Sequence, residues 1–544
     1  MLVSYFSPLA PAAVLLLGAF ILSFILPGLP PTWRMQRRVQ VWGAPLLVGL
    51  AGLAMLGTRL TFGPAAAGEG MQMLSGWNFS TAESAAMLAV QANGHSLAFL
   101  LLTLLLLLAT TLAFPLTLTG AAIPPSDRRH NVKSRTFPAG WLALGAAASV
   151  LFVSANRLTT AYAVLIFDGL AAIYWLRRGQ TDLGVARLFL GILTAAGLAL
   201  VSTEAAAGNW LFGLALWLRL GLYPFIETGN LTRRQAADDA LIIVALSLAA
   251  GLYLTKIGLD EPLPLLLRGL IGVTMLVSGL LAWLAERQDE LLLRLVATLV
   301  LFSLLGEPPA GEILTALAVG LILSLAALWL TPRLGQPRLS QGAWSWPYLP
   351  AAGATLTLIG LPWLLTWPAQ AAVYQSLFER GQAGLGGLAI LSQALALSGL
   401  VHYWRLVWQG AGQNGRRAVA SVVIMVPFLI PGLAPFILAT LIKTELPSGN
   451  FEQPAGVFLA VAAVIAAAAG LAYYRARLLN WLNVSPAEAA AWLSLNRLRA
   501  RWEEPLLRIS KFVLRLEVLL EGQHYVGWAL FTALVGILII FLGR

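Results

Sequence analysis

The side chains best suited to chemistry in this chain are two opposite charges set inside apolar runs. Asp168 stands in Ile166-Phe167-Asp168-Gly169-Leu170, in the middle of the run 157–176. Arg219 stands in Leu218-Arg219-Leu220-Gly221-Leu222-Tyr223-Pro224-Phe225, deep in a run that begins near Trp210. Pro224 follows Arg219 and must break or kink any helix that carries it. An ionisable group inside a membrane helix is costly, and by default it marks a functional site with a partner. A carboxylate and a guanidinium in one bundle are most cheaply explained as each other's partners. A break at membrane depth is tolerated only where it is buried in protein or lines a polar cavity. A charge pair beside a helix break is the chemistry of an ion path. The blander reading is an ion pair that fixes helices without transport.

The elements that must position these charges are membrane helices. Of 544 residues, 59% are hydrophobic and 11% charged, and the mean hydropathy is +0.80. A soluble domain needs about 25% charged residues, so this is an all-α polytopic membrane protein. A span takes about 20 apolar residues. Candidates lie near 9–29, 39–57, 97–119, 138–155, 157–176, 185–204, 209–226, 238–257, 264–284, 290–307, 311–331, 346–367, 384–408, 417–442, 454–473 and 525–542, about sixteen in all. The first lacks a basic leader and is expected to be a retained helix.

The net charge of +11 does not point to nucleic acid, because the excess Lys and Arg sit in short loops between apolar runs. Alternate loops carry Arg34, Arg37 and Arg38; Arg128, Arg129, Lys133 and Arg135; Arg177 and Arg178; Arg233 and Arg234; Arg287; Arg333 and Arg338; Arg416 and Arg417; and Arg475 and Arg477. The intervening loops carry few. Basic loops face the cytoplasm, which predicts a multi-pass protein of the cell (inner or plasma) membrane with both termini outside. Cys is absent, so disulfides, thiolate metal sites and iron–sulfur ligands are excluded. The four His, at 95, 130, 402 and 524, form no evident pair for haem or copper, so no cofactor and no metal are expected. The outer connection 58–96 offers only Glu69 and Glu83, a weak basis for a lipid-processing enzyme.

Other polar residues fall inside or near spans. Arg294 and Arg405 lie close enough to segment ends to snorkel. His402 reads more readily as a satisfied core histidine than as a relay. A second broken helix is expected at 358–370, bracketed by Pro362 and Pro368, and Pro427, Pro431 and Pro435 mark a further irregular helix. Two Pro-interrupted spans in corresponding places point to internal repeats. The chain then divides into N-terminal helices 1–137, two inverted five-helix repeats 138–284 and 285–442, a further helix at 443–474, an amphipathic segment 475–524 and a last span 525–544. Within 475–524, Ser485-Pro486-Ala487-Glu488 is a capping box with Pro at the first helical position. Trp492, Leu495, Leu498 and Trp502 follow at helical spacing, interleaved with Arg497, Arg499 and Arg501. After Pro505 comes a second such run. This predicts a basic lateral helix along the cytoplasmic face.

In this order and spacing the residues resemble the antiporter-like membrane subunits of respiratory complex I (NADH:quinone oxidoreductase) and of the related Mrp-type cation/proton antiporters. That family carries an aromatic-Glu pair on its fifth helix, where Phe167-Asp168 stands. Its seventh helix carries Lys five residues before Pro, a spacing kept by Arg219 and Pro224. The segment opening its tenth helix corresponds to Arg294 through Gly306. Its twelfth helix is matched by Gly360-Leu361-Pro362-Trp363, with Trp367 in place of Phe and Gln370 at the ionisable position. The resemblance covers roughly 90–475. It implies broken helices near 219–226 and 360–370 and a subunit that moves protons or monovalent cations beside other membrane subunits in the bilayer. It also implies that Asp168 is the gating or proton-carrying acid and Arg219 its electrostatic partner.

Departures accompany it. The eighth helix has only Ser247 where the family keeps His or Lys, and 311–331 offers neither. Arg219 and Arg294 stand where the family keeps lysines, and Arg does not deprotonate in proteins. Ser247 and Thr366, with water, would have to replace the missing relay. The candidate translocation set is Asp168, Arg219, Pro224, Arg294, Ser247, Pro362, Thr366, Gln370 and His402. Two other readings stay open: a scaffold subunit that kept the fold and lost the channel, and a stand-alone transporter.

Overall fold

The computed structural model describes residues 7–25, 35–62, 71–73, 89–120, 137–177, 181–202, 206–219, 237–258, 265–305, 311–331, 348–361, 364–410, 429–433, 455–482 and 485–493. They are overwhelmingly helical. The helices are α1 (Ala10–Phe20, continued by a π turn Ile21–Ile25), α2 (Met35–Phe62), α3 (Gly94–Gly120), α4 (Phe137–Phe152), α5 (Arg157–Arg177), α6 (Thr181–Ser202), α7 (Ala206–Arg219), α8 (Ala237–Gly258) and α9 (Leu265–Leu284). There follow α10 (Gln288–Phe302), α11 (Gly311–Leu330), α12 (Leu349–Ile359), α13 (Trp367–Glu379), α14 (Ala383–Gly410), α15 (Ala455–Leu482) and α16 (Pro486–Leu493). Pro224, Pro362, most of the third Pro-rich helix, the body of the lateral helix and the last span lie outside the described residues.

Among the described residues, helices at 94–113, 157–176, 184–201, 383–407 and 455–481 are long and apolar enough to cross a membrane, and seven shorter apolar helices accompany them. The chain is a multi-pass membrane protein. Its Ser and Thr hydroxyls suit that setting, because many bond back into their own helix. Thr103 donates to Phe99 O (2.9 Å), Thr111 to Leu107 O (2.6 Å), Ser149 to Gly145 O (2.7 Å) and Thr194 to Leu190 O (2.7 Å). A hydroxyl satisfied this way costs little in an apolar interior.

Two compact units arise, the described residues up to Leu216 and those from Trp217 onward, so that the division falls inside α7. In the first unit α5 and α6 form the most extensive pair, while α1, α2, α3 and α4 pack on one another. Glycines set the α5–α6 spacing. A Cβ at Gly184 would stand 2.6 Å from Leu176 Cγ and 3.0 Å from the Ala172 carbonyl. The connection between α2 and α3 contributes a short antiparallel ribbon of β1 (Met71–Met73) and β2 (Ala89–Gln91). Gln91 N–H donates to Val153 O at 2.7 Å, Ala155 N–H to Ala89 O at 2.9 Å, and Ala89 N–H to Thr159 Oγ1 at 2.9 Å. The ribbon thereby closes over the α4–α5 turn.

In the second unit α14 packs against α9, α10 and α15, and α11 packs against α8, α10, α12 and α13. Ser485 caps α16: its Oγ accepts from Glu488 N–H at 3.2 Å, as the capping-box spacing predicts. Ala489 and Leu493 of α16 then pack on the cluster of Trp283, Leu284 and Leu395, at the C-terminal end of α9.

Candidate functional site

Asp168 occupies the middle of α5 and is 0% exposed. Its neighbour on α6 is Gly191, where a Cβ would stand 2.7 Å from Asp168 Cβ and 3.3 Å from Oδ2. A helix of apolar composition folds through Asp168 because the backbone bonds are all internal. The carboxylate gains its place because the facing helix has no side chain at that level.

Arg219 lies in the last turn of α7 and is buried, 6% exposed. A cation there complements the carbonyl end of the helix dipole. The helix carrying Arg219 packs tightly on α6: a Cβ at Gly197 would meet the backbone of Phe212 at 2.7 Å. Asp168 and Arg219 fall on either side of the boundary between the two units.

The second unit holds the remaining described candidates. Arg294, on α10, is 1% exposed and therefore does not snorkel to an exposed surface. Its Nη2 lies 3.9 Å from Glu290 Oε1 one turn earlier, and its carbonyl accepts from Thr298 (2.8 Å) and from Ser278 of α9 (3.2 Å). The expected break between α12 and α13 is present. Gly360 ends α12 in the left-handed region (φ 73°). Thr366 reaches back across the break, donating from Oγ1 to Thr357 O at 2.5 Å. Gln370, one turn into α13 and 2% exposed, lays its carboxamide directly against Gly360. Gly320 of α11 admits the break, since a Cβ there would lie 2.8 Å from Thr366 Cγ2. The broken helix is thus closed by a threonine and a neutral amide.

Ser247 is buried on α8, and its Oγ has no hydrogen-bond partner among the described residues. His402, on α14, is satisfied. Arg475 of α15 donates from Nη1 to His402 Nδ1 (3.0 Å) and from Nε to the Trp283 carbonyl (3.0 Å). Arg only donates, so His402 accepts at Nδ1 and carries its proton on Nε2.

Several buried polar groups escaped the sequence reading. Ser324 of α11 is fully buried and its Oγ has no partner among the described residues. Tyr374 OH donates to Gln393 Oε1 (2.9 Å) between α13 and α14. Arg187 on α6 and Arg268 on α9 are 8% and 7% exposed. Both arginines lie near helix starts, where sequence alone assigns charges to the interface.

No protein-family model and no curated protein matches the sequence. Solved structures do match its fold. A chain of the Mrp complex from Dietzia sp. DQ12-45-1b aligns with a TM-score of 0.60 at 15% identity, covering 87% of this chain and 98% of that one. A chain of the membrane-bound sulfane sulfur reductase, an archaeal respiratory membrane complex, aligns with a TM-score of 0.60 at 14% identity, covering 98% and 99%. A chain of respiratory complex I from Thermus thermophilus aligns with a TM-score of 0.54 at 18% identity, covering 81% and 99%. The chain shares its fold with subunits of all three. The fold expected from the resemblance is therefore present, in a divergent sequence.

Proposed function

We propose that this chain is an antiporter-like subunit of a multi-subunit, complex I-like membrane assembly and contributes to moving protons or monovalent cations. The observation that carries the reading is Asp168, a carboxylate wholly buried at the middle of a membrane helix, with a glycine facing it. Such a group is expensive to hold in a bilayer and is kept where it serves an ion path. The shared fold, over 81–98% of the chain, supports the same reading. In this proposal Asp168 is the gating acid and Arg219 its fixed counter-charge. Arg294 and His402 hold the second half, and Pro224 and Pro362 mark the two helix breaks. Two inverted five-helix repeats (138–284 and 285–442) lie within about sixteen spans, and other membrane subunits flank them. Both termini lie outside.

The test is Asp168→Asn in the assembled complex, reconstituted in vesicles. Ion coupling is lost while the complex still assembles; unchanged pumping overturns the assignment.

One observation favours a second reading, a scaffold subunit. The buried side chains Ser247, Ser324, Thr366 and Gln370 are all neutral, so no proton can be stored on them. A D168N variant that pumps normally, in a complex that fails to assemble without this chain, selects the scaffold.

A further inference from the structure

Arg268 occupies the first turn of α9, where the apolar part of the helix begins. The site is unfavourable for a cation in three ways. Arg268 is 7% exposed. It sits at the positive end of the helix dipole, and the first turn of α9 carries no acid. Among the described residues its one hydrogen bond runs from Nη1 to a neutral acceptor, Gln382 Oε1, at 3.2 Å, and its Nε has no partner. A buried cation without a counter-charge is strongly disfavoured.

The surroundings are built for an incoming anion. Gln382 follows the end of α13 at the corner into α14. Gly381 turns that corner in the left-handed region (φ 65°), and Gln382 N–H is tied down on Leu377 O at 2.9 Å. Gly381, Gly384 and Gly387 have open space where a side chain would stand. Arg380, exposed on the same corner, adds a second cation. Below Arg268 the packing turns apolar at once, since a Cβ at Gly272 would meet Leu385, Leu305 and Leu388 at 3.6–3.9 Å. The cation is therefore held at the boundary between apolar core and open corner, the depth of lipid phosphates.

We propose that the α13–α14 corner, anchored by Arg268, binds the phosphate of an anionic lipid headgroup. Arg268 supplies the planar fork that matches two phosphate oxygens, and Gln382 and Arg380 supply the rim. The assignment stands whether or not the chain conducts ions, because it needs only the membrane.

The experiment is lipid titration of the purified full chain in detergent, read by native mass spectrometry and by melting temperature. Phosphatidylglycerol binds and raises the melting temperature more than phosphatidylcholine. Arg268→Gln weakens phosphatidylglycerol binding about tenfold, the effect of losing one charge-assisted fork. Arg380→Gln and Gln382→Ala, at the exposed corner, weaken it severalfold and keep the test open should R268Q fail to fold. Equal phosphatidylglycerol binding by the wild type and these variants overturns the proposal. So does a full stabilising effect from inorganic phosphate alone, which would make the ligand a free anion.

Discussion

Gly191 of α6 lies directly against Asp168 of α5, so close that a methyl group on Gly191 would stand 2.7 Å from the Asp168 Cβ. The candidate acid therefore owes its position to an absent side chain on the neighbouring helix. Gly191→Ala must push the helices apart or rotate the carboxylate away. Overpacking of this kind costs about 1–3 kcal/mol. The expected result is a lower melting temperature in detergent, together with impaired ion coupling in vesicles. Unchanged stability would show that the α5–α6 contact is looser than the geometry states.

Gly360 makes a similar prediction at the helix break, for two separable reasons. Its φ of 73° disfavours any side chain, and the Gln370 carboxamide fills the space a Cβ would take. Gly360→Ala is expected to destabilise by about 1–3 kcal/mol from backbone strain alone. Gln370→Ala in the same chain relieves the clash and leaves the strain. The double variant should therefore recover part of the loss in chemical denaturation; full recovery would mean that strain contributes nothing.

Tyr374 and Gln393 form a buried pair across α13 and α14. Tyr374→Phe leaves Gln393 Oε1 without its donor, at a cost of about 1–3 kcal/mol. Combining Tyr374→Phe with Gln393→Leu removes the unsatisfied group and should restore most of the stability. The interaction energy from this double-mutant cycle is the measurement, and a value near zero would contradict the hydrogen bond.

Arg475 ties α15 to both α14 and α9, through His402 Nδ1 and the Trp283 carbonyl. A lysine in its place would lose the two-pronged reach, because an ammonium on a single stem is a point charge. Arg475→Lys is expected to cost about 1–3 kcal/mol and to speed hydrogen exchange in α16, which packs on the same end. His402→Phe should produce a smaller loss, since the Trp283 bond survives. Equal losses in the two variants would argue against a separate contribution from the carbonyl.

Most of the helical segments are legible in the amino-acid sequence. Hydropathy and length located α3 to α6, α8, α9, α11 and α14 within a few residues, because in a bilayer every backbone group must be bonded within its own segment. By contrast, α13 (Trp367–Glu379) lies between candidate spans, and α15 runs nine residues past its own, to Leu482 rather than 473. The sequence also determined the features governed by neighbours in the chain. The Gly360 break, the Ser485 cap and the mid-helix placement of Asp168 are local in this sense.

Only the tertiary structure decided which face of each helix meets which. Membrane helices such as α3 are apolar all round, so they carry no stripe that reveals the buried side. Gly191 beside Asp168, Arg475 on His402, Tyr374 on Gln393 and Arg268 on Gln382 join residues 19 to 114 positions apart in the three hydrogen-bonded cases. Packing of small residues and single polar contacts selects these pairs. Such selection is a property of two surfaces together, and neither segment's sequence contains it alone. Arg268 is the plainest case: its position suggests an interfacial charge, and the fold buries it with a neutral amide as its described partner.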